Sequence, residues 1–354
     1  MLKLLRSLVT PKYPAPLEPA STPPLAPAAV SVEGVCDFNV PDNLIHADGL
    51  PLLDWDAVQH WVDGIPDEVC KARAWSDCEC AWLEHLQASL GPAYRLRKNG
   101  STLLLSTLEA NVAEATLAFV KTTHQRVVNI LDGVADISDW GHQILIVFSD
   151  DDTYYKYVAQ YYPQDGEFAR SGGMYINFGC GHFVTIAADL RYIEPVVAHE
   201  LTHSCLGHLP IPAWLNEGIA VNIEHRLCPP GSAVSTPREM HARHRQFWGP
   251  GEIQEFWSGK SFLRTDEGNE LSYDLARIIV SQFGATWERF RPFVQAASME
   301  DGGAAAAAEH LGVHLGDAVA ALLELEPSIQ WAPSPATWSG EPERGAFSAG
   351  QRGP

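Results

Sequence analysis

In the middle of the chain, apolar and polar positions group into short runs of strand length, while the stretches on either side carry helical spacing. The runs at residues 101–107 and at 143–148 (QILIVF) are rich in leucine and β-branched residues and are bounded by polar or glycine-containing turns, so each predicts a strand. Between them, residues 109–131 repeat apolar side chains every three or four positions, which predicts a long amphipathic helix. Residues 173–188 (GMYINFGCGHFVTIAA) predict two short strands folded about Gly179-Cys180-Gly181. After residue 198 the pattern turns mainly helical, through 275–283 and the alanine run 304–308. Strand-helix-strand order followed by helices predicts an α+β fold with a mixed sheet.

The flanks read differently. Residues 11–28 are rich in proline and alanine, a composition that favours extended conformers with no face to bury, so residues 1–42 are expected to be a flexible leader. Residues 43–98 carry Trp55, Trp61, Trp75 and Trp82 at mixed helical spacing and predict a small helical subdomain whose tryptophans are core. One large domain is expected over 99–332, and a Pro/Gly/Ser-rich disordered tail over 333–354.

Composition narrows the function. With 24 Lys+Arg against 44 Asp+Glu the formal charge is −20, which argues against a basic nucleic-acid surface. Hydrophobic residues at 46% with 19% charged ones are enough for a packed core. The seven cysteines are scattered and odd in number, without disulfide-framework or four-cysteine zinc spacing. No secretory leader and no apolar run of about 20 residues is apparent. The expectation is a cytoplasmic protein with no membrane span.

The chemistry is concentrated in His199-Glu200-Leu201-Thr202-His203. On a helix, residues four apart share a face, so both imidazoles reach one ion, and Glu200 is angled to take a proton from a metal-bound water as general base. Pro195 fits the first helical position, and Gly207 with Pro210 supplies a stop. A catalytic zinc usually has three protein ligands and an open fourth position. Glu217, fourteen residues after His203 on a second helix reset by Pro210 and Pro212, is the candidate third ligand. His208 competes, but a third-histidine site of the form His-Glu-x-x-His-x-x-Gly-x-x-His needs Gly at 206 and His at 209, where this chain has Leu206 and Leu209. Glu224 lies two turns beyond Glu217, about 10 Å along the helix, too far for both carboxylates to bind one ion, and is a candidate outer partner.

His199, Glu200 and His203, followed by Trp214-Leu215-Asn216-Glu217-Gly218-Ile219-Ala220, resemble the gluzincin metallopeptidases of the peptidase-MA-like branch. The resemblance implies a thermolysin-like zincin domain over 99–332, one Zn²⁺ held by His199, His203 and Glu217, an edge strand that aligns a peptide or protein substrate, and peptide-bond hydrolysis. It also implies an oxyanion-stabilising side chain, for which Tyr273 of Leu271-Ser272-Tyr273-Asp274 is the candidate, with His241 and His244 as rivals. The aminopeptidase branch carries a Gly-Ala-Met-Glu-Asn strand; here Gly173-Met174-Tyr175-Ile176-Asn177 lacks the acidic residue, which favours an endopeptidase. The alternative is a zincin-fold protein that binds or regulates without catalysis, which has no need of a proton shuttle at Glu200.

Overall fold

A computed structural model describes residues 26–136, 140–161, 173–176, 178–188, 190–229, 231 and 235–338. The leader up to residue 25, the tail from 339 and Asn177 of the glycine-rich strand lie outside the described residues.

The apolar runs at the centre of the chain form strands because their alternate side chains can be buried on two faces at once. Two antiparallel pairs come first, β1 (Ala29–Val30) with β2 (Phe38–Asn39) and β3 (Leu44–Ala47) with β4 (Leu50–Leu53). Helices α1 (Trp55–Asp63) and α2 (Glu68–Leu90) follow. Their N-termini are capped by Asp54 and Asp67, which accept from the backbone N–H groups of Ala57 and Cys70. The main sheet comprises β5 (Arg95–Asn99), β6 (Thr102–Ser106), β7 (Gln143–Phe148), β8 (Gly173–Ile176) and β9 (His182–Ile186) in the order β5-β6-β7-β9-β8. The β6–β7 and β7–β9 pairs are parallel and the two outer pairs antiparallel, so the sheet is mixed. Helix α3 (Ala110–Ile130) connects β6 to β7, and α4 (Asp151–Val158) follows β7.

Alternation sorts the sheet. Leu103, Leu105, Ile144, Ile146, Phe148 and Val184 point to one face, where they share a core with Trp55, Trp82, Tyr154 and Tyr157. Leu104, Leu145, Val147 and Phe183 point to the other, against α3 and helix α5 (Leu190–Leu206). A third core belongs to the helical half: α6 (Ala213–Leu227), α7 (Pro237–Phe247), α8 (Pro250–Ser258), α9 (Glu267–Phe283) and α10 (Trp287–Ala296) converge on Trp214, Phe256, Leu275 and Phe293.

The boundaries expected from composition shift. Val30, Phe38 and Val40, placed in the leader, are buried in the core beneath the sheet. The boundary at 98/99 falls inside β5, and residues 43–98 share their core with the sheet, so the tryptophans are core residues of a common unit. Trp338 of the tail donates its indole N–H to Gln254, 3.0 Å away. Apolar residues scattered among prolines still bury when a preformed face is offered. No disulfide links the seven cysteines, and no helix among the described residues is long and apolar enough to cross a membrane.

Candidate metal centre

Helix α5 carries the motif. It begins at Leu190, ahead of the start expected at Pro195, which lies inside it; lacking an N–H, the proline leaves the helical bond to residue 191 unmade. The helix ends at Leu206, as the following glycine and proline predict. After the turn at 207–212, α6 opens with Pro212 at its N-cap and packs on α5.

That packing brings three side chains to one point. Ligand atoms of His199, His203 and Glu217 all lie within 4.8 Å of one another, the one such group found among the described residues. Glu217 Oε2 stands 3.2 Å from His199 Nε2 and 3.4 Å from His203 Nε2. Neighbouring donors of a tetrahedral ion with bonds of about 2.0–2.1 Å are about 3.3–3.4 Å apart, so the spacing fits one ion of that kind. Two imidazole nitrogens with one carboxylate oxygen suit zinc-like transition metals better than the oxygen-seeking calcium or magnesium.

The outer nitrogens are held as well. Glu224 Oε2 lies 3.0 Å from His199 Nδ1, and Asn216 Oδ1 lies 2.9 Å from His203 Nδ1. Both rings therefore donate from Nδ1, and when neutral each keeps its lone pair on Nε2, facing Glu217. Glu224 thus occupies the opposite side of His199 from Glu217, in keeping with the two-turn separation. Asn216 was not foreseen, although its position beside Glu217 was available as a signal.

Electrostatics follow from this clamp. Burial pushes the imidazole of His199 down, but the hydrogen bonds and charges of Glu217 and Glu224 outweigh it and raise its pKa to about 10. His203 is likewise raised, burial being overcome by Glu217. Burial pushes Glu217 up, and the two imidazoles reverse that, holding it well below the ordinary carboxylate range. The site is built to hold positive charge beside a carboxylate, and metal and protons compete for the same nitrogens.

Glu200 sits beside this group. Burial raises its carboxyl above the ordinary carboxylate range, against the pull of His203 and His199 and of a hydrogen bond donated by the Tyr175 backbone N–H. The bond ties the carboxylate to β8, which pairs with β9 at the end of the sheet order. Tyr273, on α9, has its ring 6.3 Å from that of His199. Its rivals are committed elsewhere: His241 Nε2 is 3.1 Å from the Leu322 carbonyl, and His244 lies between the Trp248 indole N–H and Asp274, at 2.8 and 2.9 Å. His208 is exposed and outside the ligand group.

Gly218 explains how α9 comes so close. A Cβ there would lie 2.6 Å from the Ala276 carbonyl oxygen and 2.6 Å from Val280 Cγ2. Asn222 ties the same crossing, donating to the carbonyls of Gly218 and Arg277 at 2.7 and 2.9 Å. Gly218→Ala gains roughly 1 kcal/mol of helix propensity but drives a methyl into backbone, and overpacking of this kind costs about 1–3 kcal/mol. Net destabilisation is expected in chemical denaturation; a variant as stable as the parent would show that the helices part without cost.

No protein-family model matches the chain, and no curated protein is significantly similar to it. The candidate centre rests on its own geometry: two imidazoles and a carboxylate, each held from behind or between, that could hold one metal ion.

Proposed function

We propose that the protein is a zinc-dependent peptidase of the gluzincin kind, with a thermolysin-like arrangement of sheet, α5 and α6. The observation that carries the reading is the convergence of His199, His203 and Glu217 beside a carboxylate, Glu200, that the ligand set does not use. His199, His203 and Glu217 would hold the ion. Bound zinc would supply Lewis acidity toward the scissile carbonyl and toward a water at its open position.

The rest falls to the chain's own residues. Glu200 takes a proton from the attacking water and passes it to the leaving amine, a role that its raised pKa suits. Tyr273 donates a hydrogen bond to the negative charge that develops on the carbonyl oxygen. β8, which carries the Glu200 partner Tyr175, aligns an extended substrate, so that backbone bonds supply register and side-chain contacts supply choice. Glu224 and Asn216 keep the imidazoles in place.

A digest of an unbiased peptide library by the zinc-loaded protein, with and without chelator, tests the reading. Cleavage that stops on chelation and returns with zinc is expected. Cleavage indifferent to chelator, or none at full zinc occupancy, would remove it.

A further inference from the structure

The sheet ends on its other side at β5, far from the metal site in strand order. β5 pairs with β6 alone, residue for residue from Arg95↔Ser106 to Asn99↔Thr102. Gly100 and Ser101 close that hairpin, and Gly100 takes the positive φ (+62°) of a two-residue turn that begins with glycine. In such a hairpin the pair next to the turn exchanges hydrogen bonds, and so does every second pair after it. Asn99, Arg97 and Arg95 therefore direct their backbone groups to β6, while the N–H and C=O of Leu96 and Lys98 point away from the sheet. Among the described residues these groups meet no other backbone partner.

Side chains alternate across the strand. Leu96 lies opposite Leu105 and packs on the core beneath the sheet, whereas Arg97 lies opposite Leu104, on the face covered by α3. The Nε of Arg97 is buried and meets no hydrogen-bond partner. The same holds for the hydroxyl of Thr102, a fully buried residue two positions from Leu104 on that face. Lys121 reaches from α3 to this end of the hairpin, its Nζ 4.0 Å from where a Cβ on Gly100 would stand.

Acidic residues outnumber basic ones along the chain by 44 to 24, yet neither Arg97 nor Lys121 forms an ion pair among the described residues. An unmatched buried donor is costly, and a guanidinium is best matched by a carboxylate, whose two oxygens fit its fork of N–H groups. Charged side chains on a sheet edge keep like edges apart. Two copies of β5 laid side by side would bring Arg97 and Lys98 against their own counterparts, so a second copy of this chain is not the occupant. A strand of opposite charge is drawn to the same edge.

We infer that β5 takes an acidic, extended segment of a partner protein as an added strand, with main-chain bonds to Leu96 and Lys98 and carboxylates seated on Arg97 and Lys121. The segment alternates: its carboxylates lie on the α3 side of the sheet, and uncharged side chains lie on the other, beside Leu96. β6, β7 and β9 stand between this edge and β8. Binding here is separate from any chemistry at α5 and α6, so the inference does not depend on the peptidase reading.

The test uses the full chain carrying Glu200→Gln, so that a probe persists whether or not the parent cleaves peptides. A short fluorescent peptide alternating glutamate with valine is titrated beside its glutamine–valine counterpart. The glutamate peptide is expected to bind about tenfold more tightly. Arg97→Gln and Lys121→Gln should each remove most of that preference, whereas Arg245→Gln, on α7, should leave it. Equal binding of the two peptides, or a preference indifferent to both substitutions at the edge, would overturn the inference.

A second arm leaves the protein's edge unaltered and asks whether the peptide adds as a strand. Two further forms of the glutamate peptide are methylated on their backbone nitrogens, one at every glutamate and the other at every valine. Successive N–H groups of a strand face opposite sides, so the form methylated on the side toward β5 should lose binding and the other should keep it. Amide exchange at Leu96 and Lys98 should slow in the complex. Loss with both forms or with neither, or unchanged exchange at those two amides, would overturn strand addition.

Discussion

Glu200→Gln is expected to lower kcat for peptide hydrolysis by about 10²–10⁴-fold, the usual contribution of a positioned general base, while the protein keeps a full equivalent of zinc. Glutamine preserves the volume at this position, and its amide oxygen still accepts from the Tyr175 N–H. What it cannot do is take a proton. The three candidate ligand atoms lie on His199, His203 and Glu217, so metal content should not change. Steady-state kinetics together with metal analysis of the same preparation reads both quantities. Turnover within tenfold of the parent would leave Glu200 as a structural carboxylate and end the mechanism proposed for it.

Removing Glu217 strikes the other half of the site. Loss of an outer hydrogen-bond partner of a metal ligand costs about 10–100-fold in affinity, so loss of a direct ligand in Glu217→Ala should exceed about 100-fold. A competitive chelator titration measures this, and an affinity within tenfold of the parent would exclude Glu217 as a ligand. The metal-free protein supplies a second readout through pH. His199 is raised from its ordinary 6.5 to about 10. A group whose folded pKa is raised adds stability that is fully present below its unfolded pKa and is lost as pH rises through the folded value. Metal-free parent should therefore lose stability between about pH 6.5 and pH 10. In Glu217→Ala that loss should shrink, because the leading partner that raises His199 is gone. Zinc acts with the opposite sign: it displaces those protons, so its affinity, and the stability it adds, should increase with pH over the same interval. Equal pH slopes in parent and variant would refute the coupling.

Much of the frame was legible because its elements satisfy local rules. Residues 143–148 can bury both faces only as a central strand, and they form one; residues 109–131 carry a single apolar stripe and form α3. The turn chemistry of Gly207, Pro210 and Pro212 separated α5 from α6 at the expected place. The misjudged parts lacked a local signal. Val30 and Phe38 sit in a sequence too rich in proline to announce a fold, and Pro195 reads as a helix start although its helix begins five residues earlier. Tyr175 acts through a backbone N–H, which no side-chain pattern encodes. The buried group of Glu79, His142 and Cys180 joins residues up to 101 positions apart.

The sequence by itself determined the helical face on which His199 and His203 stand together, since a four-residue spacing and a 3.6-residue turn leave no other arrangement within one helix. It also supplied the donor types. Only tertiary structure decided that Glu217 comes to the inner nitrogens of both rings, Glu224 to the outer nitrogen of one and Asn216 to that of the other, because these contacts depend on how α6 rolls against α5. That roll is set where Gly218 lets α9 press on the far side of α6, a packing constraint between distant segments that no short stretch of chain contains.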